Sequence, residues 1–301
     1  MWTETEMSAA REQLKTLIAA NNIMALDHAI KGLGLDFILS NTFIDYCRLG
    51  RESNMVIFLN TLVEHNTENP IPTPKIKLVV ATKLTEADFF QKSATGKSIE
   101  LHKFPHEGLC LFPNNSVGLS KIYNSVIDDS ANDPCILIFM HDDLHIIDYH
   151  WINHVITGLE QFKILGLAGN RRRAQKQPSW FFIEAQDAFV RDYPQNLSGV
   201  IGHGKQYPPD RIEMFGRSGQ SVKLLDGLMI CAQSETLLRH NLRFDEQFDF
   251  HFYDMDLCRQ AEVERLSCGT WPISVIHESA GNFNSTTWKL AYDLYLKKWK
   301  N

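Results

Sequence analysis

The chain of 301 residues holds no apolar run approaching the ~18 residues that span a bilayer. Its first residues, Met1 to Glu6, are acidic and lack the basic-then-apolar layout of a secretory signal. No Cys-x-x-Cys pair is present, and the six cysteines (Cys47, Cys110, Cys135, Cys231, Cys258 and Cys268) are scattered. In a chain this long they are expected to be reduced and buried, not a disulfide framework. There is no excess of positive charge, and a net charge of -6 argues against sequence-wide affinity for nucleic acid. No internal repeat or low-complexity tract occurs. These absences leave a cytoplasmic globular protein as the expectation, and 44% hydrophobic residues suffice for a sizeable core.

Residues 1 to about 68 read as helical, because Leu14, Leu17 and Ile18, then Ile23, Leu26 and Ile30, recur near helical spacing. Pro70, Pro72 and Pro74 cannot continue a helix and read as a stiff linker. The expected organisation is a helical N-terminal region with its linker over 1–72 and a second domain over 73–301. Beyond the linker the period changes. Strands are expected over 77–81, 98–104, 135–140, 164–169 and 224–232. Helices expected over 86–91, 116–130, 151–162 and 235–240 alternate with them, which predicts an α/β sandwich. Residues 192–221, rich in Gly, Pro and Ser, read as a long mobile loop of the kind that closes over a site.

The apolar run from Cys135 to Met140 reads as a buried strand of a mainly parallel sheet, and His141, Asp142 and Asp143 stand at its carboxyl end. Ligands of open α/β sheets bind at that end. Two carboxylates there are costly to leave unpaired, so a cation is a natural partner; a strand followed by an N-capping aspartate fits the same segment. Gly96-Lys97-Ser98 is not a phosphate loop, since Gln91 stands where the motif needs glycine. His150 and His154 have a spacing that zinc ligands use, but no His-Glu-x-x-His is present, and interfacial or capping roles are the simpler reading. Arg171 to Arg173 with Lys176 would hold phosphate or form a solvated charge run. Asp254 and Asp256 open an apparent helix, whose N-terminus would keep carboxylates ionised. Such a carboxylate serves as general base in a pocket, or as a cap on a surface helix. Trp288 to Lys300 is aromatic, apolar and basic, and would pack against the domain or lie on a membrane surface.

Taken in order, these segments resemble a known family. The strand around Asp226-Gly227, then Phe244-Asp245-Glu246-Gln247-Phe248, then Tyr253-Asp254-Met255-Asp256-Leu257-Cys258 resemble the inverting GT-A glycosyltransferases of the large family 2 type. Phe139 to Asp143 looks like their Asp-x-Asp strand end. With Asn114 to Ser120 before it, the chain is closer still to a bacterial branch whose strand ends in His-Asp-Asp. His277, within His277 to Gly281, matches a late histidine that some members use as a metal ligand. The resemblance covers about residues 76–285. Two positions depart from the pattern: His141 replaces the first Asp of Asp-x-Asp, and Tyr253 replaces the Glu of Glu-Asp-x-Asp. No Pro-x-Tyr-Asn follows the strand ending at Thr82.

The resemblance implies a GT-A fold: a Rossmann-like mixed sheet flanked by helices, here with an N-terminal helical region. It implies transfer of a sugar from a nucleotide-diphosphate donor to an acceptor hydroxyl, with inversion, in cell-surface polysaccharide or glycoconjugate synthesis. Asp254 would be the base, and Asp143 and His277 the ligands of a divalent cation, Mn²⁺ or Mg²⁺, with the histidine favouring Mn²⁺. Thr82, His141, Asp142 and Arg171 would border the donor. Asp226, Gly227, Tyr253 and Asp256 would border the acceptor or sugar. The expected partners are a nucleotide-sugar and a saccharide or lipid-linked acceptor, with no nucleic acid. Peripheral membrane contact through 286–300 and homo-oligomer formation stay open. Two rival readings remain: a metal-dependent phosphohydrolase using His141 and Asp142, which that class carries on helices, and a non-catalytic module binding a glycan or partner on the same fold.

Overall fold

The computed structural model describes Thr16 and residues 74–186, 188–279 and 283–300. The helices expected before residue 68 lie outside the described residues. The chain divides between Thr73 and Pro74, and everything that follows concerns the unit from Pro74 onward.

Strand β1 (Ile76–Ala81) pairs in parallel with β2 (Leu109–Phe112) on one side and β3 (Ile136–Met140) on the other. Because β3 is buried along its whole length, its sequence is an unbroken apolar run. Next to β3, β13 (Met229–Gln233) runs antiparallel and also pairs with β5 (Ile164–Gly166). With β14 (Cys268–Thr270) and β11 (Ser221–Val222) this makes a seven-stranded mixed sheet, ordered β11-β14-β5-β13-β3-β1-β2. Successive strand residues point to opposite faces, so Val79, Leu137 and Phe139 enter one core cluster while Leu78, Val80, Ile138 and Met140 enter another. A second sheet orders β12 (Leu224–Leu225), β6 (Ala168–Asn170), β9 (Leu197–His203), β15 (Val275–His277) and β4 (Leu144–Ile146). Alongside β9 lies β10 (Arg211–Gly216), and β7 (Phe182–Ala185) with β8 (Ala188–Arg191) forms a separate hairpin.

Helices α1 (Glu86–Lys92), α2 (Ala94–His102), α3 (Leu119–Asp129), α4 (Trp151–Gln161), α5 (Ser234–Arg239), α6 (Tyr253–Val263) and α7 (Thr286–Trp299) complete the unit. Among the described residues no helix is long and apolar enough to cross a membrane. Trp288 and Tyr295 of α7 are buried, so the aromatic face of this helix is committed to packing on the domain.

The chain crosses between the two sheets several times, Lys223 and residues 271–274 among the places, and three further short joints concern the site. His141 to Asp143 join β3 to β4, Leu167 joins β5 to β6, and Asp226 to Leu228 join β12 to β13. The first and the third are bonded to one another, His141 N–H donating to the Leu228 carbonyl at 3.1 Å, and Asp226 N–H donates to the carbonyl of Ala168, the first residue of β6, at 2.9 Å.

Four expectations are corrected. Residues 98–104 alternate like a strand, yet α2 occupies most of them. Ser93 caps α2, its hydroxyl accepting from Gly96 N–H at 2.8 Å. Thr95, Ser98 and Ile99 are buried at helical spacing, while Leu101 is 62% exposed. Residues 192–221 are not a loop; they contain β9, β10 and β11. Their glycines serve close strand approach: a side chain at Gly216 would meet the Leu197 carbonyl, and one at Gly199, whose φ is +113°, would meet that of Leu167. The strands expected over 164–169 and 224–232 each break at a joint into two strands of different sheets.

Candidate active site

A cavity of about 650 Å³ opens over the joints 141–143 and 226–228. Register places its first pair of side chains. Antiparallel β15 sets His277 opposite Leu144, and Glu278 N–H donates to the Asp143 carbonyl at 3.0 Å. His277 Nε2 then lies 3.3 Å from Asp143 Oδ2 and 3.1 Å from the Ser279 hydroxyl. Burial would raise the Asp143 pKa, but the hydrogen bond and charge of His277 outweigh it and hold the carboxyl well below its usual range. Burial likewise pushes His277 down, and the bond and charge of Asp143 reverse this, leaving its pKa raised.

His141 stands on the other side of Asp143, its Nδ1 4.0 Å from Asp143 Oδ1. Burial pushes its imidazole below the usual value despite Asp143, so the ring is neutral at pH 7. His141, Asp143 and His277 each offer a ligand atom, and the three atoms lie within 4.8 Å of one another. Asp143 Oδ1 is buried with no hydrogen-bond partner. An unsatisfied buried carboxylate oxygen is costly, and a divalent cation satisfies it. Two imidazoles and one carboxylate therefore fit a cation here.

Asp254 reaches the cavity from the first turn of α6. Phe252, the N-cap, has a left-handed φ of +66°, a conformation costing a non-glycine residue about 1–2 kcal/mol. Its ring is held among Trp288, Tyr292 and Tyr295, with centroids 5.4, 5.7 and 5.1 Å away. Asp254 Oδ1 accepts from Met255 N–H at 2.8 Å. Burial, and then the neighbouring charge of Asp226, raise the Asp254 pKa to about 7. Asp226 is itself raised by burial. Tyr253 donates its hydroxyl proton to the Gly227 carbonyl at 2.9 Å. Gly227 has to be glycine, because a side chain there would run into that hydroxyl. Asp142 lines the cavity and accepts from the Thr82 hydroxyl at 2.5 Å, whereas Thr82 lies behind it and does not line the cavity.

Besides Thr82, two expected site residues are not brought to the cavity. Asp256 is fully buried and accepts from Gln260 at 2.7 Å, Trp299 at 2.8 Å and Lys298 at 2.7 Å. Residues two apart on a helix point ~200° apart, so facing Asp254 to the cavity turns Asp256 into the core. Arg171 donates outside the cavity to the Gln195 carbonyl at 3.3 Å, while Arg172 and Arg173 pair with Asp192 and Glu262. The basic run is consumed by local pairing. His154 pairs with Asp148 at 2.6 Å, a capping role. His141 and Asp142 follow the end of β3, contrary to the helical placement that the phosphohydrolase reading needs.

Sequence reasoning missed part of the wall. His203, Arg211 and Glu213, on β9 and β10, line the cavity, and His203 Nε2 lies 3.4 Å from Glu213 Oε2. So do Trp180, Phe181 and Phe215, which pack edge to face. The consecutive aromatics Trp180, Phe181 and Phe182, and the alternation from Arg211 to Phe215, were the available signals.

Comparison with known proteins decides the family. Residues 113–276, just over half of the chain, match the model of a family described as "Glycosyltransferase like family". The chain belongs to this glycosyltransferase-like family. The matched span takes in the joints, β15 up to the residue before His277, and the start of α6 with Asp254. The mixed sheet flanked by helices is the GT-A fold of these glycosyltransferases. Among solved structures, a crystal structure of S. aureus TarS 1-349 is similar at 11% sequence identity and a TM-score of 0.36. The likeness covers 68% of this chain and about 60% of that one. No curated protein matches the chain.

Proposed function

We propose that this family member transfers a sugar from a nucleoside-diphosphate sugar to an acceptor hydroxyl, with inversion and with a divalent cation. The observation that carries this reading is Asp254, with a pKa near 7, in the same cavity as His141, Asp143 and His277. A general base works best with a pKa near the working pH. Asp254 takes the proton of the acceptor hydroxyl as that oxygen attacks the anomeric carbon from the side opposite the leaving group. Burial, and then Asp226, keep the Asp254 pKa high, and Asp226 with Gly227 borders the acceptor and sugar. Asp142, held by Thr82, accepts hydroxyl hydrogen bonds from the donor. Mn²⁺ or Mg²⁺ held by Asp143 and His277 would act as a Lewis acid on the charge that develops on the departing diphosphate. Trp180, Phe181 and Phe215 exclude water, which limits hydrolysis, and give a saccharide or lipid-linked saccharide acceptor an apolar wall.

The test is nucleotide release by the full chain from UDP, GDP, CMP and dTDP sugars, each with Mn²⁺, Mg²⁺ or EDTA. Ion-dependent release from one nucleotide class, lost in Asp254→Asn, supports the reading. No release and no thermal shift with any donor would leave the chain a non-catalytic binding module on this fold.

A further inference from the structure

His141 and Tyr253, which stand where the large family 2 type carries Asp and Glu, touch each other. His141 and Tyr253 lie 112 residues apart in sequence, and His141 Nε2 is 2.8 Å from the Tyr253 hydroxyl. The protons in this contact can be assigned one by one. The tyrosine hydroxyl has a single proton, and the Gly227 carbonyl, 2.9 Å away, can only accept it. If that proton went to His141 instead, the hydroxyl and carbonyl oxygens would face each other in the interior with no hydrogen between them. The tyrosine oxygen therefore accepts from His141, so an imidazole proton sits on Nε2 and the ring atom left to bind a cation is Nδ1. It faces Asp143 Oδ1 across 4.0 Å, and Oδ1 is itself buried without a partner. Two such atoms turned toward each other in a mostly buried setting are a natural arrangement for a cation between them.

We propose that His141 supplies Nδ1 as a third protein ligand to the divalent cation held by Asp143 and His277, with Tyr253 the positioning residue that fixes its tautomer and ring. The proposal rests on the transferase reading for what the ion does, but not for where it binds. It ties the two positions together: an imidazole stands at one, and the phenol at the other accepts from that imidazole and donates to Gly227. The absence of a side chain at Gly227 makes room for that phenol. Hydrogen bonds from the second nitrogen of a ligating histidine orient the ring in this way. A set of two nitrogens and one oxygen also suits a first-row transition ion better than Mg²⁺, which favours all-oxygen surroundings.

The ligand count can be read without any turnover. Electron spin-echo spectroscopy of Mn²⁺ on the full chain, with and without ¹⁵N-labelled histidine, should show two coordinated imidazoles, and only one in His141→Ala. Tyr253→Phe, which keeps the ring packing, should weaken Mn²⁺ binding by about tenfold to a hundredfold. A purely structural tyrosine would leave that dissociation constant unchanged. Mg²⁺ in excess should displace Mn²⁺ poorly. A single imidazole on native protein, or no Mn²⁺ bound at all, would overturn the proposal, and the native spectrum decides this even if a variant fails to fold. One imidazole with ion-dependent sugar transfer intact would remove the ligand assignment alone. Two imidazoles with no affinity for any nucleoside diphosphate would uphold the assignment and sink the transferase reading.

Discussion

Burial, and then the charge of Asp226, push the Asp254 carboxyl up to about 7, and on the proposed reading this ties the rate to pH near neutrality. The rate of transfer should rise with pH through about 7, and Asp254→Asn should lower it by about 10²–10⁴-fold. The folded pKa of about 7 exceeds the unfolded value of about 3.9. The folded state therefore binds more protons in that window, and the associated stability, complete below about pH 4, is lost as pH rises through about 7. Asparagine stays neutral throughout. In EDTA, the melting temperature of Asp254→Asn minus that of the native chain should grow from pH 4 to 7 and then level off; a flat difference would mean an ordinary carboxyl. Asp256→Asn should behave in the opposite sense, lowering the melting temperature while leaving Mn²⁺ affinity unchanged. At this scale the gathering of Asp143, His277 and Asp254 around one cavity was legible through the order of motifs that carries the family resemblance. The contact of His141 with Tyr253 could not be read, since nothing local links positions on different elements. Asp256 was misassigned because a motif names residues without saying which way a helix turns them.

At the scale of elements, β9 and β10 have the most to lose from a single atom. Gly199→Ala should cost more than about 1 kcal/mol, from the left-handed φ and the collision with the Leu167 carbonyl. A lower urea midpoint at unchanged slope would report it, and an unchanged midpoint would show that the strand can shift. The same glycines explain why this region reads as a loop. Composition cannot separate a glycine that frees the chain from one that lets two backbones meet. The strand expected at 98–104 failed for a related reason: the alternation of Ile99 and Leu101 with Ser98, Glu100 and His102 is genuine, but Ser93 caps a helix and Gly96 lets it lie close on α1. The strands β1 and β3 and the helices α3, α4 and α6 were legible, because long periodic or wholly apolar segments leave few alternatives.

At the scale of the molecule, α7 anchors to the rest of the unit through a buried charge. Lys298 and Trp299 bind Asp256, which is fully enclosed. Lys298→Met should destabilise by about 1–3 kcal/mol, since it leaves that enclosed carboxylate only the neutral donors Gln260 and Trp299, and chemical denaturation would measure it. Combining it with Asp256→Asn should recover part of the loss; full additivity would show the two side chains to be independent.

The joints have a mechanical consequence. His141 to Asp143 and Asp226 to Leu228 belong to neither hydrogen-bonded ladder, and each is the place where one sheet hands the chain to the other. Whatever occupies the cavity grips both sheets at once, like a rivet through two plates. Amide exchange in β3 and β13 should therefore slow together with exchange in β9 and β15 when Mn²⁺ and a nucleoside diphosphate bind, and a one-residue insertion in either joint would turn the following strand face for face.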